Sequence, residues 1–229
     1  MPMTCWRPLQ GIVTRALASA LGASTRLVVS DLNQAMLDVA QSRLSQDPRI
    51  TWKQADALAL PFEDRTFDAV ICQFGVMFFP DKRQGFREAR RVLRTSGKFL
   101  FSVWDDIADN EFADVITNSL AEMFPANPPR FLARTPHGYH DVDVIRDELT
   151  ATGFSNVQFE TIEHVSRSAS PREPAVAYCQ GTPLRNEIVE RDPDGLEKAT
   201  LHAERAIAKR FGPGPIEGRI QATFFTASF

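Results

Sequence analysis

Two aspartates and one histidine-containing segment are the residues best placed to do chemistry. Asp31 directly follows the apolar run "RLVVS" (26–30), and Asp56 lies just past "ITWKQ" (50–54). A carboxylate at the end of a buried strand can accept a hydrogen bond on each oxygen, which matches the vicinal hydroxyls of a ribose. A second carboxylate, or the backbone beside it, at the end of a neighbouring strand can meet an exocyclic amino group on a purine. Either acid alone could equally be a turn residue or a helix cap. The ordered set Asp31, Asp56, strand 67–73 and strand 97–104 is more specific than its members. Farther on, "HGYHD" (137–141) places His137, Tyr139 and His140 in a Pro-rich stretch. They could orient a substrate, act as a general base or simply pack a loop. Two histidines at i and i+3 with one aspartate are a thin set of metal ligands, and no metal is expected.

These residues need strands and helices to hold them. Ile12, Val13, Ala16, Leu17 and Ala20 recur at helical spacing over 9–21, and Gly22 stops that helix. "RLVVS" reads as a strand buried on both faces. Asn33 is a plausible cap for a helix carrying Met36, Leu37, Ala40 and Leu44. Residues 50–54 and 67–74 are strand-like, 84–93 is helical with Phe86 and Ala89 inward, and 97–104 is again strand-like. The "REARR" run (87–91) reads as a solvated face, "FGVMFF" (74–79) as core and pocket wall, and Cys72 as a small buried hydrophobe. Strands alternating with helices predict a parallel sheet with ligands at the strand C-termini. Past residue 105 the pattern predicts helices at 111–124, 143–154 and 196–211, a Pro-rich loop before 141, strands at 157–167 and 220–229, and short helical pieces over 171–192.

Composition bounds the function classes. The chain has 229 residues, enough for one α/β domain with a full core. A net charge of −3 gives no electrostatic case for nucleic acid or an anionic membrane. Three cysteines far apart argue against a disulfide framework or a Cys-rich zinc site. No apolar run is long enough to span a bilayer and no signal peptide is evident, so a cytoplasmic protein is expected.

"VVSDLNQAMLDVAQSRL", "QADALALPFEDRTFDAVICQFGVMFFPD" and "REARRVLRTSGKFLFSVW" resemble the class I S-adenosylmethionine-dependent methyltransferases, in particular the group that includes the ubiquinone and menaquinone C-methyltransferases. The resemblance covers 11–104. It implies a Rossmann-like three-layer sandwich with a mostly parallel seven-stranded sheet, whose last strand, here 220–229, is antiparallel. It implies S-adenosylmethionine as cofactor: Asp31 on the ribose hydroxyls, Leu32 on the adenine, Asp56 and Ala57 at the adenine edge, and Gln73 near the methionine part. Residues 1–104 would then be the cofactor-binding core, 105–218 helical and loop insertions on the substrate side, and 219–229 the closing strand of a single domain. Phe74, His137, Tyr139 and His140 become the acceptor-side candidates, with a small molecule as acceptor.

The opening "TCWRPLQG" departs from the family pattern, which has a strand, an acidic residue and a G-x-G-x-G loop. Gly11 aligns with the last glycine; bulky residues and Pro8 stand where bare backbone must approach the cofactor. The expectation is a short or irregular first strand and weakened cofactor binding. An inactive relative of the family is therefore the alternative to a working methyltransferase. A nicotinamide-dependent dehydrogenase would need G-x-G-x-x-G about 20 residues before the acid, and this chain lacks it.

Overall fold

The structure, a computed structural model, describes residues 2–6, 12–44 and 47–229. The chain forms two compact units. The first comprises Met1–Val103, Asp141–Glu160 and Thr223–Phe229, and the second Trp104–His140 and Thr161–Ala222. The stretch expected as one insertion, 105–218, is thus interrupted by 141–160, which belong to the first unit.

In the first unit β1 (Pro2–Trp6), β2 (Arg26–Asp31), β3 (Ile50–Gln54), β4 (Phe67–Gln73) and β5 (Leu93–Trp104) alternate with α1 (Ile12–Ala20), α2 (Gln34–Arg43) and α3 (Lys82–Val92). With β6 (Asn156–Ser168) and β7 (Ile216–Ser228) they make a seven-stranded sheet in the order β3-β2-β1-β4-β5-β7-β6. The pairs β3/β2, β2/β1, β1/β4 and β4/β5 are parallel. The first strand is short, at five residues, but it is not irregular. Every residue from Pro2 to Trp6 is in register with β2, and Met3–Trp6 also pair with Ala69–Cys72.

The sequence order reverses between β1 and β4, which places a crevice beyond the C-terminal ends of the strands on either side of that point. Beneath it, Met3, Leu27 and Ala69 are buried with Leu17, Leu21, Ile50 and Ile71 packed against them. Phe86 on α3 meets Phe99 and Phe101, and Phe101 stacks on Phe225 at 4.8 Å. Arg49 closes the C-terminal end of α1, donating to Ala18 O at 2.7 Å and Leu21 O at 3.0 Å while paired with Asp47. These bonds satisfy carbonyls that a helix end leaves open.

The second unit is mainly helical, with α4 (Glu111–Met123), α5 (Phe131–Arg134), α7 (Arg172–Cys179), α8 (Leu184–Arg191) and α9 (Leu196–Phe211). Phe112, Ile116, Leu120, Ile188, Ala203 and Ile207 lie in its core. The remaining helix, α6 (Val142–Ala151), belongs to the first unit and is capped by Asp141, whose carboxylate accepts from the N–H groups of Asp143 and Val144. The Pro-rich segment before 141 contains α5 and is not loop throughout. No helix among the described residues is long and apolar enough to cross a membrane.

Candidate functional site

A cleft of about 240 Å³ opens at the crevice, bordered by the ends of β2, β3 and β4. Four of the expected residues meet there: Asp31, Leu32, Asp56 and Ala57. The volume lies below the ~300 Å³ at which sites for drug-sized ligands usually begin.

Asp31 ends β2 opposite Gln54 on β3. Its Oδ1 accepts the Asn33 N–H at 2.9 Å, and Asn33 in turn caps α2 by accepting the Ala35 N–H at 3.0 Å. The turn and site readings of Asp31 are therefore compatible. One oxygen holds the turn, and among the described residues the other has no hydrogen-bond partner. A carboxylate offers about four acceptor positions, so capacity remains for two hydroxyl donors. Leu32 stands beside it 67% exposed, an apolar side chain held in solvent at the rim of a cleft. Gln54 Nε2 donates to Leu32 O at 2.9 Å and ties this turn to the end of β3.

Asp56 caps its own turn, accepting the Leu58 N–H at 2.9 Å. Ala57 and Leu58 follow along the wall, and Phe78, Phe79 and Pro80 contribute apolar surface from the far side of β4. Those three arrive because the chain turns sharply after β4. Phe74 has φ +48°, a conformation costly for a bulky residue, and its N–H donates to Ser102 O at 3.1 Å and Ser102 Oγ at 3.2 Å. Gly75 and a 3-10 turn over Val76–Phe78 follow. Gly85 on α3 lets Phe79 close in, since a Cβ there would lie 2.6 Å from the Phe79 ring.

Gln73 is not among the cleft residues. Successive side chains on a strand face opposite ways. Buried Cys72 borders the cleft, and Gln73 lines a separate hollow of about 230 Å³ with Val13, Leu100 and Phe224. Phe74 lies outside the cleft as well, edge-on to Phe224 with ring centroids 6.5 Å apart. Gly11 lies outside the described residues.

The reading of 87–91 as a solvated face is corrected by Glu88 and Arg91. Both are only partly exposed and both bond to the segment that carries the cleft wall. The Arg91 guanidinium and the Leu60 N–H hold the Glu88 carboxyl below its ordinary range against the opposing effect of burial. Bonds to Glu88 and Asp64 raise Arg91 further above its already high value. Polar residues on a helix leave no periodic signature when their partners are loop carbonyls. The one available signal is the i, i+4, i+7 spacing of Gln84, Glu88 and Arg91.

The histidine segment belongs to the second unit. His137 is buried, and its Nδ1 donates to Asp105 O at 2.9 Å, which leaves Nε2 as the acceptor. Burial pushes its pKa below the ordinary value. Tyr139 is buried as well. His140 is more open and lies 3.5 Å from Asp106 Oδ2 and 3.9 Å from Asp105 Oδ1. No group of three or more metal-ligating side chains occurs among the described residues. Cys179 is buried, and its thiol is pushed up to about 12, far from a nucleophile at neutral pH.

Comparison with known proteins adds to this geometry. Residues 8–101 match the family described as "Methyltransferase domain". A demethylmenaquinone methyltransferase from Clavibacter sepedonicus is 28% identical over 159 residues, covering 65% of each chain. A ubiquinone/menaquinone biosynthesis C-methyltransferase, UbiE, from Hahella chejuensis is 39% identical over 93 residues, 39% of this chain and 37% of the relative. The alignments thus span less than two thirds of either relative. Among solved structures, phosphoethanolamine N-methyltransferase 2 of Haemonchus contortus, in complex with S-adenosyl-L-methionine, superposes with a TM-score of 0.60 at 18% identity. That match covers 100% of this chain and 48% of the other, and it shows a shared fold.

Proposed function

We propose that this chain, a member of the type 11 group of class I S-adenosylmethionine-dependent methyltransferases, moves a methyl group from S-adenosylmethionine to a small-molecule acceptor. The observation that carries the reading is the meeting of Asp31, Leu32, Asp56 and Ala57 at one cleft beside the switch point. The unused oxygen of Asp31 fits a ribose diol, and the walls made by Leu32, Leu58 and Phe79 fit a flat apolar base. Asp56 and the backbone beside it take the amino edge. Cys72, rather than Gln73, borders the way toward the methionine end. When bound, the cofactor supplies an electrophilic methyl on a sulfonium. The protein's part is to bind, orient and exclude water, which needs no nucleophile or metal from the chain.

That the two relatives are quinone methyltransferases by name favours a quinone-type ring as the acceptor. Phe74 of the first unit is the acceptor-side residue we favour; in the second unit His137 and Tyr139 are buried beside the more open His140. The closing strand is proposed to run antiparallel. In support, Phe101 meets Phe225 whereas the Asp105 N–H, just past β5, donates to Gln221 O, so the chain farther along meets an earlier residue of β7. The regular pairing of β1 speaks against an inactive relative with a damaged sheet.

Calorimetric titration of the chain with S-adenosylmethionine, and with NAD as control, tests the reading. Binding of the first alone is expected, followed by transfer of labelled methyl to a reduced quinone lacking its ring methyl; the segment on which the expected weakening of that binding rests, 7–11, lies outside the described residues. Binding of neither ligand would sink the proposal.

A further inference from the structure

Three side chains on α3 hold the wall of the cleft without bordering the cleft themselves. Gln84 Nε2 donates to Leu58 O at 3.0 Å. Glu88 Oε2 accepts the Leu60 N–H at 2.7 Å. Arg91 Nη2 donates to Leu60 O at 2.9 Å and Nη1 to Phe62 O at 2.7 Å. The rest of the Arg91 guanidinium is committed too: Nε to Glu88 Oε1, Nη2 to Glu88 Oε2 and Nη1 to Asp64 Oδ1, each at 2.8 Å. That makes five bonds from a group with five N–H donors. Lysine, with three donors on a single nitrogen, cannot reproduce the pattern.

We propose that the Gln84–Glu88–Arg91 stripe is a positioning device that sets the cleft's preference for adenine over other purines, because it fixes the main chain that carries Asp56 and Ala57. The inference rests on the reading of the cleft as an adenosine site. Discrimination between an amino group and a carbonyl at the same ring position needs a wall that cannot retreat. A fixed acceptor facing a carbonyl is left unpaired, whereas a slack wall moves away and admits both bases. The α3 bonds fall at alternate residues, 58, 60 and 62, starting at the last cleft residue of this segment, so the wall has little slack. Gly85, on the same helix, adds the close approach of Phe79 from the opposite side of the cleft.

The test is calorimetric titration of the full chain with S-adenosylhomocysteine and with S-inosylhomocysteine, which carries a carbonyl in place of the amino group. The wild type is expected to prefer the adenosyl ligand. Arg91→Lys is expected to lose roughly tenfold in affinity for the adenosyl ligand, the worth of one to two hydrogen bonds, and its preference should shrink by a similar factor. Gln84→Ala, which gives up one bond to the wall, should shift the preference in the same direction by less, and it serves if Arg91→Lys fails to fold. A role confined to stability would weaken both ligands alike, so an unchanged preference in the folded variants overturns the proposal. A wild type that binds neither ligand overturns both the proposal and the adenosine reading. A wild type that binds with a preference the variants retain overturns the proposal alone.

Discussion

The Asp31 corner and the 55–64 segment border one cleft but are held in opposite ways. At the corner, Asp31 takes the N–H of Asn33 and Asn33 takes that of Ala35, each bond reaching two residues along the chain. The segment is held by α3, from 26 to 31 residues away. A bond across two residues can form wherever the chain makes that turn, with or without the rest of the fold. A bond across thirty exists only once α3 has docked on the sheet. One wall of the cleft thus rests mainly on local bonds, with the Gln54 tie to Leu32 O beside them, and the other mainly on tertiary packing.

The contrast is most easily broken at Arg91. Arg91→Ala strands the Glu88 carboxylate and removes donors from Leu60 O and Phe62 O. Breaking a buried pair costs about 3–5 kcal/mol. The Arg91 side chain is 30% exposed, which lowers the expectation to about 2–4 kcal/mol in urea unfolding. A loss under about 1 kcal/mol would show that the 55–64 segment stands on its own contacts. Asp31→Ala should do the reverse. It is expected to cost about 1.5–3 kcal/mol of S-adenosylmethionine affinity by calorimetry, for the charged hydrogen bond lost, with a much smaller change in melting temperature. Unchanged affinity in a chain that binds the cofactor would leave Asp31 with its turn alone.

Acid titration sharpens the comparison by the smallest margin. The Glu88 pKa is lowered by the fold, so its contribution is complete above the ordinary value of 4.5 and is lost as pH falls through the lower folded value. His137 is held below 6.5 by burial, so its contribution is complete above 6.5 and declines as pH falls from there toward the folded value. Amide protection around 137 should therefore decline as the pH falls below 6.5, while 55–64 stays protected until the pH is below 4.5. Simultaneous loss of both would mean that neither group governs its own region.

The same distinction explains what the sequence discloses. Apolar periodicity predicts the strands and helices, down to both ends of α9 at Leu196 and Phe211, because burial is written in residue type. Asp31 and Asp56 are legible as a pair because each stands at or just past the end of a strand and turns the chain there. Other features depend on neighbours that no linear pattern names. Strand β5 starts at Leu93, not near 97, since Leu93 pairs with Phe67 and an irregularity between Phe67 and Ala69 absorbs the polar "RTSG". Gln73 faces away from the cleft because register, set by pairing with Ser102, decides which of two adjacent residues points where. The Gln84–Glu88–Arg91 stripe grips carbonyls, which every sequence possesses.

That last point bears on how such a wall can change over generations. The atoms α3 holds are Leu58 O, Leu60 N, Leu60 O and Phe62 O, all of them main-chain. Side chains along 55–62 can be exchanged without releasing the grip, so the wall can be retuned one residue at a time while its course through space is inherited intact. Anchorage and recognition are written in different segments of the chain, and a mutation can explore the second without placing the first at risk.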